Sequence, residues 1–134
     1  MSACVLDTDV VIAALDRADA HHGAAAKAFE LWARDEVELL LCTVNYAESL
    51  VRPAGEEGNL RAAVEAIAAL GIRLLAPDAA MARNAARHRG LGISLADGFA
   101  LATATARDAS VASFDKRVRR ALQPAGLRLS PALG

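Results

Sequence analysis

Apolar residues along this chain come in short blocks separated by polar joints, and the spacing inside the blocks alternates between two periods. "ACVLD", residues 3–7, is a continuous apolar run closed by a carboxylate, as in a short buried strand. "DVVIAALD", from Asp9 to Asp16, changes to helical spacing. From His21 to Arg34 a second helix presents Ala25, Phe29 and Trp32 at i, i+4, i+7. "ELLLCT" predicts a second strand and "NYAESLVR" the helix after it, with Pro53, Gly55 and Gly58 marking a break. "LRAAVEAIAAL" is helical and stops at Gly71, a glycine suited to the position just past a helix end. "IRLLA" predicts a third strand, and Pro77-Asp78 opens a helix reaching about Arg89. Gly90 and Gly92 separate it from a helix that Ser94 caps and that runs to Arg107. "SVASF" is a fourth strand, "KRVRRAL" a short helix and "LRLSP" a candidate fifth strand.

Strands alternating with helices of this length imply an α/β fold, with a central parallel sheet of four to five strands and helices on both faces. Right-handed crossovers then bring the carboxyl end of every strand to one edge. Open sheets of this kind bind ligands at that edge, near a switch in strand order.

Composition sharpens this picture modestly. At 134 residues the chain is expected to form one domain, residues 1–134, and its alanine-rich, aromatic-poor apolar content favours closely packed helices. No apolar run approaches the roughly 18 residues of a membrane span. The amino-terminal stretch lacks a basic flank and is interrupted by Asp7 and Asp9, so a cytoplasmic protein without a signal peptide is expected. Cys4 and Cys42 fit no CxxC or zinc spacing and read as buried free thiols.

The formal net charge of −1 argues against holding nucleic acid through overall charge. Most acids precede Gly71 and most bases follow it, which leaves room for a local basic patch, with Arg83, Arg87, Lys116 and Arg117 as its candidates.

Four acids map to the carboxyl edge of the predicted sheet: Asp7 ends the first strand, Glu48 lies early in the helix after the second, Asp97 follows the Ser94 cap, and Asp115 follows the fourth strand. Each has a local explanation. Asn45-x-x-Glu48 and Ser94-x-x-Asp97 fit capping-box spacing, Asp115 suits the cap of the next helix, and Asp7 suits an Asx-turn. Together they require more, because crowded carboxylates cannot all ionise in a poorly solvated pocket without compensation. A divalent cation supplies it, and an all-oxygen site suits Mg²⁺ or Mn²⁺ better than zinc. The implied chemistry is metal-dependent hydrolysis at phosphorus.

"VLDTDVVIAALD", "CTVNYAESLVR" and "ISLADGFALATATARDASVASFD", in this order and at this spacing, resemble the PIN-domain ribonucleases, and most nearly the VapC toxins of bacterial toxin–antitoxin pairs. The resemblance spans nearly the whole chain. It implies that Asp7, Glu48, Asp97 and Asp115 hold Mg²⁺ or Mn²⁺, and that Ser113 braces the site. Thr8 and Asp9 match the polar residues after the first acid, with Asp9 either a direct ligand or a hydrogen-bonding support. It further implies RNA cleavage by metal-activated water, leaving 5′-phosphate and 3′-hydroxyl ends, a homodimer, and a cognate VapB-like antitoxin that blocks the pocket. One departure is the basic "KRVRR" after Asp115, where the family often carries another acid and an aromatic residue.

Two other chemistries compete. "VLDTDVV" also fits the DxDx[TV] signature of haloacid-dehalogenase-type phosphatases, with Asp7 as nucleophile, Asp9 as acid/base and Thr43 as second motif. That reading needs a lysine ahead of a late acid pair, and the only lysines are Lys27 and Lys116. A non-catalytic receiver-like domain would place its acceptor after the third strand, where Asp78 reads better as a helix cap. Among minor candidates, His21 and His22 are expected to be surface or capping groups rather than metal ligands. Tyr46, Phe99, Thr103 and Thr105 read as helix packing, and the Ala25, Phe29, Trp32 stripe reads as core more readily than as an antitoxin groove.

Overall fold

The computed structural model describes residues 2–56 and 59–134, so Gly58, part of the expected break, lies outside the described residues. Four parallel strands, β1 (Ala3–Leu6), β2 (Glu38–Cys42), β3 (Ile72–Leu75) and β4 (Ser110–Ala112), pair in the order β3-β2-β1-β4. Their register sets Cys4 against Leu39 and Ser110, and Leu40 against Arg73. The helices are α1 (Thr8–Leu15), α2 (His22–Arg34), α3 (Thr43–Ala54), α4 (Asn59–Ala69), α5 (Ala79–His88), α6 (Leu95–Arg107) and α7 (Lys116–Leu122).

Strand residues alternate between two cores, because successive side chains of a strand point to opposite faces. Val5, Leu40 and Val111 pack with Leu101 and Ala104 of α6 and with Val118 and Leu122 of α7. Cys4, Leu6, Leu39, Leu41 and Ala112 pack with Val10 and Val11 of α1, Ala28 and Trp32 of α2, and Ile67 of α4. Helices therefore cover both faces, as the apolar periods predict. Cys4 and Cys42 are buried free thiols. Ala25 and Trp32 are core, and Phe29 packs edge-on against Trp32 at 5.0 Å. Among the described residues, no helix is long and apolar enough to cross a membrane.

Local signals hold where the chemistry is local. Gly71 takes φ +74° just past α4, Asp78 caps α5 by accepting from the Met81 amide at 2.9 Å, and Ser94 with Asp97 forms a full capping box on α6. Three expectations need correction. "LRLSP" pairs at a single parallel bridge, Val111 with Leu129, because the left-handed turn at Gly126 and the 3₁₀ turn from Pro131 leave almost no extended chain between them. Pro53 sits inside the last turn of α3, where a missing amide costs one hydrogen bond and only Ala54 follows. Asn45 caps nothing: β2 runs straight into α3 at Cys42, which places Asn45 inside the helix.

α5 crosses the start of α6 at a glycine. A Cβ on Gly98 would meet the Ala85 carbonyl oxygen at 2.6 Å, with the Ala85 carbonyl carbon at 3.3 Å. Alanine at this position gains about 1 kcal/mol of helix propensity, but the backbone clash outweighs it. Gly98→Ala is therefore expected to lower stability by about 1–3 kcal/mol in urea denaturation, although glycine to alanine inside a helix ordinarily stabilises.

Candidate active site

Sheet order reverses at β1, which has β2 on one side and β4 on the other, and open sheets of this kind bind ligands above the carboxyl end of such a strand. Asp7 sits there. Its amide extends the ladder to the Ala112 carbonyl at 2.9 Å, and its side chain turns inward to cap α1. One carboxylate oxygen accepts from the Thr8 amide at 2.9 Å and the other from the Ser113 hydroxyl at 2.8 Å. Asp7 is only 3% exposed. Burial, followed by the Asp9 and Asp97 carboxylates, pushes its pKa from the ordinary 3.8 up to about 7, against the lowering pull of Ser113 and Thr8.

Asp9 stands one residue on, and its Oδ2 accepts from the Phe114 amide at 3.0 Å. Its Oδ1 is buried and has no hydrogen-bond partner among the described residues. Burial raises its pKa, and Asp115 and Asp97 push the same way. Asp7, Asp9, Asp97 and Asp115 thus share one electrostatic environment, which takes in three of the four acids expected at the sheet edge and adds Asp9.

Ser113 is fully buried and serves two acids at once: it donates to Asp7 and accepts from the Asp115 amide at 3.1 Å. Asp115 caps α7 by accepting from the Arg117 amide at 2.7 Å. Asp97 accepts from the Ser94 amide at 3.2 Å. Both capping explanations are therefore true, and each engages only one oxygen of its carboxylate. Glu48 is exposed on α3 and reaches Thr8, whose hydroxyl donates to Glu48 Oε1 at 2.6 Å.

A hard divalent cation suits this donor set. All the candidate ligands are oxygens, and a buried carboxylate oxygen on Asp9 lacks a donor. The carboxylates turn toward amide and hydroxyl donors, and among the described residues no three His, Cys, Asp or Glu side chains close around one point tightly enough to hold an ion.

The remaining candidates fall as follows. Lys116 and Arg117 are exposed in the first turn of α7, with Arg117 Nε 3.9 Å from Asp115. Arg83 and Arg87 are exposed on α5, the helix lying across the start of α6 beside Asp97. His21 stacks on Phe114 with ring centroids 4.3 Å apart, and His22 Nδ1 lies 2.7 Å from the Ala13 carbonyl. Thr103 and Thr105 bond back to carbonyls of their own helix. Tyr46 is half-buried against the α1–α2 core, and Phe99 is half-buried.

The family model of the PIN domain matches residues 4–122, nearly the whole chain. This chain belongs to the PIN-domain family. No curated protein matches it in sequence. Solved structures do match in fold. VapBC2 from Rickettsia felis, bound to a DNA fragment from its promoter, is 16% identical with a TM-score of 0.75, covering 96% of this chain and 97% of that one. VapC20 from Mycobacterium tuberculosis, described as a sarcin–ricin-loop-cleaving toxin, is 22% identical at TM-score 0.69 over 88% and 94% of the two chains. FitAcB from Neisseria gonorrhoeae is 23% identical at TM-score 0.68 over 96% and 97%.

Asn45 is the site residue that sequence reading placed wrongly in this PIN domain. It is fully buried, and its amide contacts Thr8, Glu48 and the Ala96 carbonyl. The i, i+3 spacing to Glu48 signals a shared helix face, which is also the spacing of a capping box.

Proposed function

We propose that this PIN domain is a Mg²⁺- or Mn²⁺-dependent endoribonuclease of the VapC kind. The observation that carries the reading is Asp7: a carboxyl group buried at the strand-order switch beside Asp9 and Asp97, with its pKa pushed up to about 7 by burial and by those two charges. Asp7, Glu48, Asp97 and Asp115 would hold the ion. When bound, the ion supplies a nucleophilic water at neutral pH and offsets charge on the scissile phosphate. Ser113 fixes Asp7 and the Asp115 amide relative to each other, and Asp9 braces the β4–α7 joint through the Phe114 amide.

Lys116 and Arg117 stand beside Asp115, and with Arg83 and Arg87 they would contact phosphates flanking the cut. Single-stranded or looped RNA suits a recessed acidic site better than a duplex. A VapB-like antitoxin is the proposed inhibitor, since VapBC and FitAB assemblies are among the fold relatives. A cavity of about 510 Å³ runs beside Glu48 between Ile12, Leu15 and the alanine face of α4, and offers an apolar seat for such a segment. A homodimer and a cytoplasmic location complete the reading.

Incubating the purified chain with cellular RNA tests it. Discrete fragments bearing 5′-phosphates are expected with Mn²⁺ or Mg²⁺, none with a chelator, and cleavage again once metal is restored. Intact RNA with metal, together with phosphate release from small phosphate esters, would favour the phosphatase reading instead.

A further inference from the structure

We infer that Asn45 is a positioning residue that sets the spacing of the acidic edge for its cation, a role resting on the metal-dependent reading of that edge. From α3 its side-chain amide reaches α1, whose N-cap is Asp7, α6, whose first turn carries Asp97, and Glu48 on its own helix. Nδ2 lies 3.1 Å from the Ala96 carbonyl, 3.4 Å from Thr8 Oγ1 and 3.5 Å from Glu48 Oε1. Ala96 directly precedes Asp97, Thr8 stands between Asp7 and Asp9, and Glu48 lies one helical turn beyond Asn45.

All three partners present acceptors. Ala96 offers a carbonyl and Glu48 a carboxylate, while the proton of Thr8 is directed to Glu48 Oε1 at 2.6 Å. Turning the amide over would set Oδ1 against the Ala96 carbonyl and the Glu48 carboxylate, so the donor end is fixed toward the site. Thr8 and Asn45 then hold the same Glu48 oxygen from two sides and leave the other oxygen free for an ion. The outer partner of a metal-ligating group orients it in this way.

The other end of the amide points to the same role. Asn45 is fully buried, yet its Oδ1 has no hydrogen-bond partner among the described residues. An apolar side chain would fill this place without burying an unpaired carbonyl. What the amide alone provides is two donor hydrogens reaching three elements. Ser49 offers a contrast on the same helix: it is buried and donates to the Asn45 backbone carbonyl at 2.9 Å, but among the described residues its hydroxyl makes no hydrogen bond to Asp7, Glu48, Asp97 or Asp115.

Mn²⁺ titration of the RNA-free protein by calorimetry separates the possibilities. Asn45→Ala is expected to bind Mn²⁺ about 10–100-fold more weakly than the unmodified chain. Thr8→Val, which leaves the buried amide in place and removes the hydroxyl shared with Glu48, should weaken Mn²⁺ in the same direction even where Asn45→Ala folds poorly. Ser49→Ala should lower thermal stability and leave Mn²⁺ affinity within twofold. Asp97→Asn, as reference, should lose most of the binding. Unchanged affinity in Asn45→Ala or Thr8→Val, or an equal loss in Ser49→Ala, overturns the positioning role while the Asp97→Asn loss still supports the nuclease reading. No Mn²⁺ uptake by the unmodified chain overturns both.

Discussion

Asp97→Asn is expected to slow RNA cleavage by roughly 10³-fold, equivalent to about 4 kcal/mol of barrier. The substitution is nearly isosteric, and an amide oxygen still accepts the Ser94 amide that Asp97 accepts at 3.2 Å, so the α6 capping box and the fold should survive. What goes is one anionic oxygen donor beside Asp7. The same change removes a like charge that raises the pKa of both Asp7 and Asp9, so the metal-free variant should be slightly more stable than the unmodified chain. Lost activity in a protein that melts no lower identifies a ligand. A variant that retains cleavage would remove Asp97 from the site. Phosphate-ester hydrolysis lost instead on Asp7→Asn, with RNA untouched, would assign Asp7 a covalent role.

Asp7→Asn is expected to stabilise the metal-free protein at pH 8 and to have little effect near pH 4. The folded carboxyl keeps its proton up to about pH 7, whereas the unfolded chain releases it near 3.8. Between those values the folded state binds more protons, so its stability falls as pH rises through the window and levels off above it. The rise from 3.8 to about 7 corresponds to at most about 4 kcal/mol, and Asp7 is buried enough that solvent screening removes little of it. Asparagine carries no charge at any pH and retains an oxygen for the Thr8 amide, though it pairs less well with the Ser113 hydroxyl. A net gain of about 1–3 kcal/mol at pH 8 follows, measured by urea denaturation in a chelating buffer. Parallel pH profiles for the variant and the unmodified chain would show that Asp7 carries no buried charge. The stabilised variant should also be inactive, because the charge that strains the fold is the one proposed to hold the cation.

The fold was largely legible because burial leaves a period in the sequence. Val5 and Leu40 alternate with Cys4, Leu6, Leu39 and Leu41, and the structure sorts these two sets into the two cores. Caps were legible for a related reason: Asp78, Ser94 with Asp97, and Gly71 act within three residues of where they stand. The carboxyl edge could be drawn from parallel strands joined by right-handed crossovers, and the expectation set Asp7, Glu48, Asp97 and Asp115 along it. The fifth strand was not legible, because "LRLSP" has strand composition but is held between two turns.

Asn45 marks the limit. Read locally, Asn-x-x-Glu is a capping box; in the protein the helix already begins at Thr43, and the amide turns to partners 37 and 51 residues away. By itself, then, the chain determined the layers, the strand direction, the edge where acids gather and the family to which they belong. The layers and strand direction follow from periods repeated over a few residues, the edge from crossover handedness, and the family from the resemblance of stretches spread along nearly the whole chain. Only the tertiary structure decided that Asp7 is buried deeply enough to raise its pKa to about 7, that Ser113 reaches it across 106 residues, and that Asn45 turns to the Ala96 carbonyl rather than capping a helix. Charge repulsion and hydrogen bonding act through space over a few ångströms, and order along the chain does not encode such distances.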